Sequence, residues 1–228
     1  MHDERVTDRA GGAAEELYAE EGARLWRAVL AYTGDREVAN YSVAEAFAHV
    51  LARTGRTRRP AQAVWRAAFR FADAEMTERS RFAGVDPPEG VEAVLDEGGL
   101  RDPSGLLLMA LRRLAPMQRG ALVLRHYARH SMWSAANILG TSVAWMPLHI
   151  TRGKRRLRRL LGGNRGDPEG RFDALGRVPA PDLWPDVRRR SPEDLPLAHR
   201  WRPVGRALLA AALAAAAVAL VWIMAGRA

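Results

Sequence analysis

Residues 131–161 read SMWSAANILGTSVAWMPLHITRGKRRLRRLL, and their reading decides the fold. Ser131 suits a helix N-cap, since its hydroxyl can accept from an amide of the first turn. The spacing predicts a short helix from there to Leu139. Gly140 supplies the C-terminal cap and the tight turn that ends it. Ser142 can cap the next helix, which continues to about Leu161. Helix, short glycine-containing turn, helix is the helix-turn-helix pattern, and its second helix belongs in a major groove. Arg152, Lys154, Arg155, Arg156, Arg158 and Arg159 crowd the C-terminal half of that helix. There they can neutralise phosphates and favour the helix dipole. A solvated basic face or an anionic-lipid patch is the competing reading. Leu157, Leu160 and Leu161 keep an apolar stripe beside the charges, which favours DNA.

Upstream, Leu106 to Leu114 is an apolar helix ended by Ala115-Pro116, with the proline placed for the first position of a helix from Met117 to Tyr127. Charge sets this region apart. The 228-residue chain has a formal net charge of +9 from 35 basic and 26 acidic residues. Residues 105–165 hold 12 basic residues and no Asp or Glu, whereas residues 1–80 hold 12 basic and 13 acidic ones. One 61-residue segment therefore carries more than the whole surplus, the footprint of a small nucleic-acid-binding module.

The N-terminal block reads as three or four helices. Leu17, Leu25, Trp26, Val29 and Leu30 recur at spacings near 3.6, Gly34-Asp35 breaks the pattern, and Val43, Phe47, Val50 and Leu51 share one face of a run from Val38. After a basic break from Arg53 to Pro60, Val64, Trp65, Ala68, Phe69 and Ala72 form a third stripe. The expected fold class is all-α. Residues 14–80 form one helical domain, 81–104 a flexible acidic linker and 105–162 the helix-turn-helix domain. Residues 163–206 form a Pro-rich juxtamembrane linker and 207–226 a transmembrane helix. That last run is uncharged, and 20 residues at about 1.5 Å each span the roughly 30 Å of a bilayer core. Six arginines lie between Arg188 and Arg206 and only Arg227 follows, so the positive-inside rule leaves the N-terminus in the cytoplasm. A buried Ala-rich helix is the alternative for the tail.

The order and spacing of several short motifs carry a family resemblance. Leu114-Ala115-Pro116-Met117-Gln118-Arg119, Ala121-Leu122-Val123-Leu124-Arg125-His126-Tyr127, Ile138-Leu139-Gly140-Thr141-Ser142 and Arg152-Gly153-Lys154-Arg155-Arg156-Leu157-Arg158 resemble region four of extracytoplasmic-function (ECF) sigma factors. Leu17-Tyr18, Leu25-Trp26 and Ala44-Glu45-Ala46-Phe47 resemble region two, and Trp65-Arg66-Ala67-Ala68 its −10-reading helix. The resemblance covers about residues 14–161. It implies core RNA polymerase and promoter DNA as partners, with an anti-sigma factor as a further one. It assigns the −35 element to Ser142, Val143, Trp145, Met146, His149, Arg152, Lys154, Arg155, Arg156 and Arg158, and the −10 element to Trp65, Arg66 and Arg70. Tyr41, Glu45 and Phe47 would meet the polymerase. With the tail, it implies a sigma factor tethered at the cytoplasmic face of a bacterial inner membrane.

Three departures open alternatives. Tyr41 stands where the family has an acidic residue. The end of the −10 helix reads Glu75-Met76-Thr77-Glu78, whose acids would repel phosphate. Trp145-Met146-Pro147 replaces Thr, Val and a basic residue; Trp145 is a base-edge wedge or, more in keeping with its bulk, a core plug. Pro147 kinks a helix capped at Ser142, or is tolerated if the helix starts near Ala144. A degenerate sigma-like regulator that does not initiate transcription, and a membrane scaffold with a lipid-binding basic segment, are the alternative functions. No cofactor is expected. The chain has no cysteine, and the His126/His130 pair has no carboxylate within residues 105–165 to complete a metal site. No phosphate loop or nucleophile–base set appears, so no catalysis is expected.

Overall fold

The tight turn at Gly34 and Asp35 sets the geometry of the N-terminal half. Helix α1 (Asp3–Thr33) stops where Gly34 adopts φ 70°, its amide donating to the Leu30 carbonyl at 2.7 Å. The Asp35 carboxylate then accepts from the amides of Glu37 and Val38 at 2.9 and 3.0 Å, capping α2 (Arg36–Leu51). These bonds satisfy donors that a helix start leaves open. Helix α3 (Pro60–Phe82) packs across both, presenting the predicted Val64, Trp65, Ala68, Phe69 and Ala72 stripe to the core. Arg79 on α3 pairs with Asp35, Glu37 and Glu75 at 3.0–3.3 Å, fastening the end of α3 to the start of α2.

A computed structural model describes residues 3–52, 57–82, 103–162 and 168–190, and every regular element among them is helical. The expected transmembrane segment 207–226 and nearly all of the acidic linker lie outside the described residues. Among the described residues, no helix is long and apolar enough to cross a membrane.

The second half begins with α4 (Pro103–Arg112). Ala115 then opens α5 (Pro116–Leu122), with the proline at the first helical position as predicted. The helix predicted to run on to Tyr127 does so as a widened π turn over Val123–Tyr127, and Arg129 follows at φ 56°. Holding a non-glycine residue in the left-handed region costs about 1–2 kcal/mol. The turn delivers His130 and the cap Ser131 to the next helix, α6 (Met132–Leu139), and Ser131 accepts from the Ser134 amide at 3.1 Å. Gly140 ends α6 at φ 65°, as its position predicted.

The two sets of helices share one continuous apolar core. Leu107, Leu111, Leu122 and Leu124 are buried in the same cluster as Trp26, Tyr32 and Phe69. Arg119 lies buried 5.4 Å over the Tyr32 ring, while the Tyr32 hydroxyl donates to Asp73 on α3. Burial lowers the Arg119 pKa, the cost of drawing a cation out of water, and the Tyr32 ring face offsets part of it.

The Pro-rich stretch expected to be linker differs from that expectation over residues 168–190. It forms α8 (Pro168–Arg171), a 3-10 segment (Phe172–Arg177) and α9 (Trp184–Arg189), which follow α7 (Met146–Leu160) in the chain. Prolines bar a long helix, as predicted, but they do not prevent packing. Phe172, Leu175, Val178, Leu183 and Val187 are all buried.

Candidate nucleic-acid interface

Ser142 caps a short 3-10 turn, Val143–Trp145, by accepting from the Ala144 amide at 3.3 Å. Helix α7 starts only at Met146 and runs to Leu160, so Pro147 falls in its first turn. A proline there forfeits no intrahelical bond, since first-turn amides have no partner inside the helix. The kink that a helix capped directly at Ser142 would suffer is thereby avoided.

Met146, Ile150, Gly153 and Leu157 are the buried residues of α7, at spacings of four, three and four, which defines a single inward stripe. Gly153 lets α7 close on α5: a Cβ there would stand 3.0 Å from Leu122 Cδ1 and 3.3 Å from the Gln118 carbonyl oxygen. Opposite the stripe, Arg152, Arg155, Arg156, Arg158 and Arg159 are exposed, and Lys154 and His149 are half-buried. The result is a packed helix with cations turned to solvent and no acidic side chain of its own. Such a surface has the charge to bind a polyanion, and any such binding would be set by the phosphates neutralised and depend strongly on salt.

Other predicted residues sit elsewhere. Met146 is completely buried and belongs to the core, so it cannot reach a base edge. Ser142 is exposed and Val143 half-buried at the mouth of the turn. Trp145 is 58% exposed, which overturns the core-plug reading: the 3-10 turn swings it out before the inward stripe begins at Met146. Trp133 on α6 is 75% exposed, and no motif in the sequence marks it. A helical wheel finds it, because Ala135, Ala136 and Ile138 set the inward face of α6 and position 133 lies opposite.

Trp65 is the sharpest departure. It is 1% exposed, with its indole N–H donated to Glu21 at 2.9 Å, its ring 4.5 Å edge-on from His130 and the Arg24 guanidinium 5.5 Å away over it. Arg24 also donates to the Ala128 carbonyl. Arg66 is exposed but donates to Asn137 on α6, and Arg70 is exposed on α3. The face of α3 assigned to the −10 element is thus folded against the start of the helix-turn-helix, and Trp65 cannot touch DNA in this arrangement. Burial lowers the His130 pKa, Arg24 lowers it further, and Glu21 acts the other way. Glu21, Arg24, His130 and Asn137 were not legible as a set, since they are brought together only by the packing of the two halves.

On α2, Phe47 is fully buried with Tyr18 edge-on to it at 5.0 Å, so its role is in the core. Tyr41 is half-buried and Glu45 nearly buried. His126 packs 5.7 Å from Phe172 while His130 faces Trp65. Among the described residues, no three His, Cys, Asp or Glu side chains are grouped to hold a metal ion.

No protein-family model matches the chain, and no curated protein matches it. Among solved structures it is similar to a chain of the co-crystal structure of the sigma factor RpoE in complex with the anti-sigma factor NepR from Bartonella quintana. The identity is 19% and the TM-score 0.49, over 66% of this chain and 99% of that chain.

Proposed function

We propose that the chain is a sigma-like transcription factor that brings core RNA polymerase to promoter DNA, with α7 reading the −35 element. The single observation that carries this reading is α7 itself: a helix held by a capped turn, apolar side inward, five exposed arginines outward. The motif order of the sequence supports the polymerase half of the proposal and assigns that contact to α2. The apolar run at 207–226 supports a tether at the cytoplasmic face of a membrane. The test is capture of purified core polymerase, followed by run-off transcription on genomic fragments. Promoter-specific transcripts are expected; failure to bind polymerase at all would end the proposal.

A second reading, a sigma-like regulator that binds without initiating, is favoured by one observation, the burial of Trp65 against the helix-turn-helix. It predicts polymerase or promoter binding with no transcript. A lipid-binding scaffold predicts instead liposome binding by residues 105–165 and no preference between duplexes at elevated salt.

A further inference from the structure

We infer that residues 168–190 form a strap in cis that covers the α2 face proposed above for core polymerase, so that polymerase and strap compete for one surface. The inference rests on that reading of α2. The path of the strap is continuous across both halves of the molecule. Ser104 on α4 donates to the Ala174 carbonyl at 3.1 Å, and Phe172 is buried against His126. Arg27 on α1 donates to the Val178 carbonyl at 2.7 Å. The Leu183 amide donates to the Tyr18 hydroxyl at 2.5 Å, and the Trp184 ring lies 5.3 Å from the Tyr18 ring. Val187 is buried as α9 packs on α2, and Arg190 closes the path.

The chemistry at the end of the path identifies the covered surface. The Arg190 guanidinium donates to the Glu45 carboxylate and lies 5.4 Å over the Tyr41 ring. Glu45 is only 5% exposed, and a carboxylate that deep needs a cation. Arg190 is the cation that the strap supplies to it. An arginine at this place has both a flat aromatic face and a carboxylate to bind, the pairing a guanidinium fits best. Any partner that uses Tyr41 and Glu45 must therefore first remove Arg190. Burial raises the Tyr41 and Tyr18 pKa values, consistent with cover over both rings.

The strap is built to be displaced. Its α-helices are four and six residues long, too short to persist without the surface they lie on. Two of its exposed pairs add little: Arg129 with Asp173 at 3.3 Å, both more than two-thirds exposed, and Arg189 with Asp186 on the strap itself. What holds it is the burial of Phe172, Ala174, Leu175, Val178, Leu183 and Val187, the Trp184–Tyr18 ring contact and a few bonds, with Arg190 at the α2 end.

The test uses the full-length chain and variants whose changes lie only in the strap. Arg190→Glu reverses the charge facing Glu45 and leaves the buried side chains intact. The double variant Trp184→Ala/Val187→Asp removes the apolar packing; Arg190→Lys keeps the charge without the planar stack. Amide hydrogen exchange reads release of residues 168–190, and equilibrium binding reads affinity for purified core polymerase. Release accompanied by an affinity gain of about tenfold or more, smaller for Arg190→Lys, is the expected result. Release with polymerase affinity equal to that of the unaltered chain overturns the strap alone. Released variants that bind no polymerase overturn the reading of α2, and the competition with it. Strap amides that stay protected in the polymerase complex of the unaltered chain also overturn the competition.

Discussion

Two tryptophans in regions assigned to DNA meet opposite fates. Trp65 on α3 is enclosed by Glu21, Arg24 and His130, whereas Trp145 before α7 stands in solvent. The difference lies in what surrounds each in space. Trp65 continues an inward stripe of a long helix that has neighbours on two sides. Trp145 occupies a 3-10 turn one residue before the inward stripe starts. A residue's place relative to the stripe decides its burial, and the chemistry of its ring does not.

The largest effect expected from this comparison is on stability. Trp65→Ala should cost about 3–5 kcal/mol in denaturant unfolding, because it opens a cavity and removes the indole donor of the Glu21 carboxylate, which keeps only its Arg24 ion pair. Trp145→Ala should stay within about 0.5 kcal/mol. Equal costs would break the contrast. On the DNA side, Arg155→Ala, Arg156→Ala and Arg158→Ala combined should leave unfolding almost unchanged. The same triple should flatten the salt dependence of duplex binding by about 0.9 in log–log slope for each phosphate that is no longer neutralised. An unchanged slope would remove α7 from the interface.

Gly153→Ala sharpens the picture of how α7 is seated. Alanine gains about 1 kcal/mol of helix propensity over glycine. Overpacking against the fully buried Leu122 and the Gln118 backbone costs about 1–3 kcal/mol. The clash outweighs the propensity, so a net loss of about 1 kcal/mol is expected in thermal unfolding, with weaker duplex binding if α7 is lifted.

The smallest effect is on pH dependence. His130 has its pKa lowered in the folded state, chiefly by burial. Its contribution to stability is therefore complete above the ordinary histidine value and is lost as pH falls from there through the folded one. Acidification below about pH 6.5 should loosen the packing of α3 on α6, and His130→Gln should flatten that part of the stability profile. Protection of the Trp65 region by hydrogen exchange, followed from neutral to mildly acidic pH, checks it.

Much of the fold was legible because it rests on local rules. The Gly34-Asp35 break, proline at the start of α5, the Ser131 cap and the left-handed Gly140 are each dictated by one or two residues. The cationic face of α7 was legible for the same reason, since charge and helical period together fix which residues point outward. Less of the candidate interface was readable. Met146 and Phe47 stand at positions the resemblance assigns to DNA and polymerase but turn inward, and a motif alignment carries no information about which way a helix is rolled against its neighbours.

The sequence by itself determined the helices of the described residues, their caps, the helix-turn-helix and an acid-free basic segment, since each follows from interactions within about four residues. Tertiary structure alone decided that Trp65 faces His130 and that Arg119 lies over the Tyr32 ring. It alone decided that a Pro-rich stretch without helical periodicity folds onto α1 and α2. Those outcomes depend on shape and charge matching between segments up to 165 residues apart, as in the bond from Leu183 to Tyr18. Burial of scattered apolar side chains such as Phe172, Leu175 and Val187 is proportional to the area they find, not to any spacing along the chain.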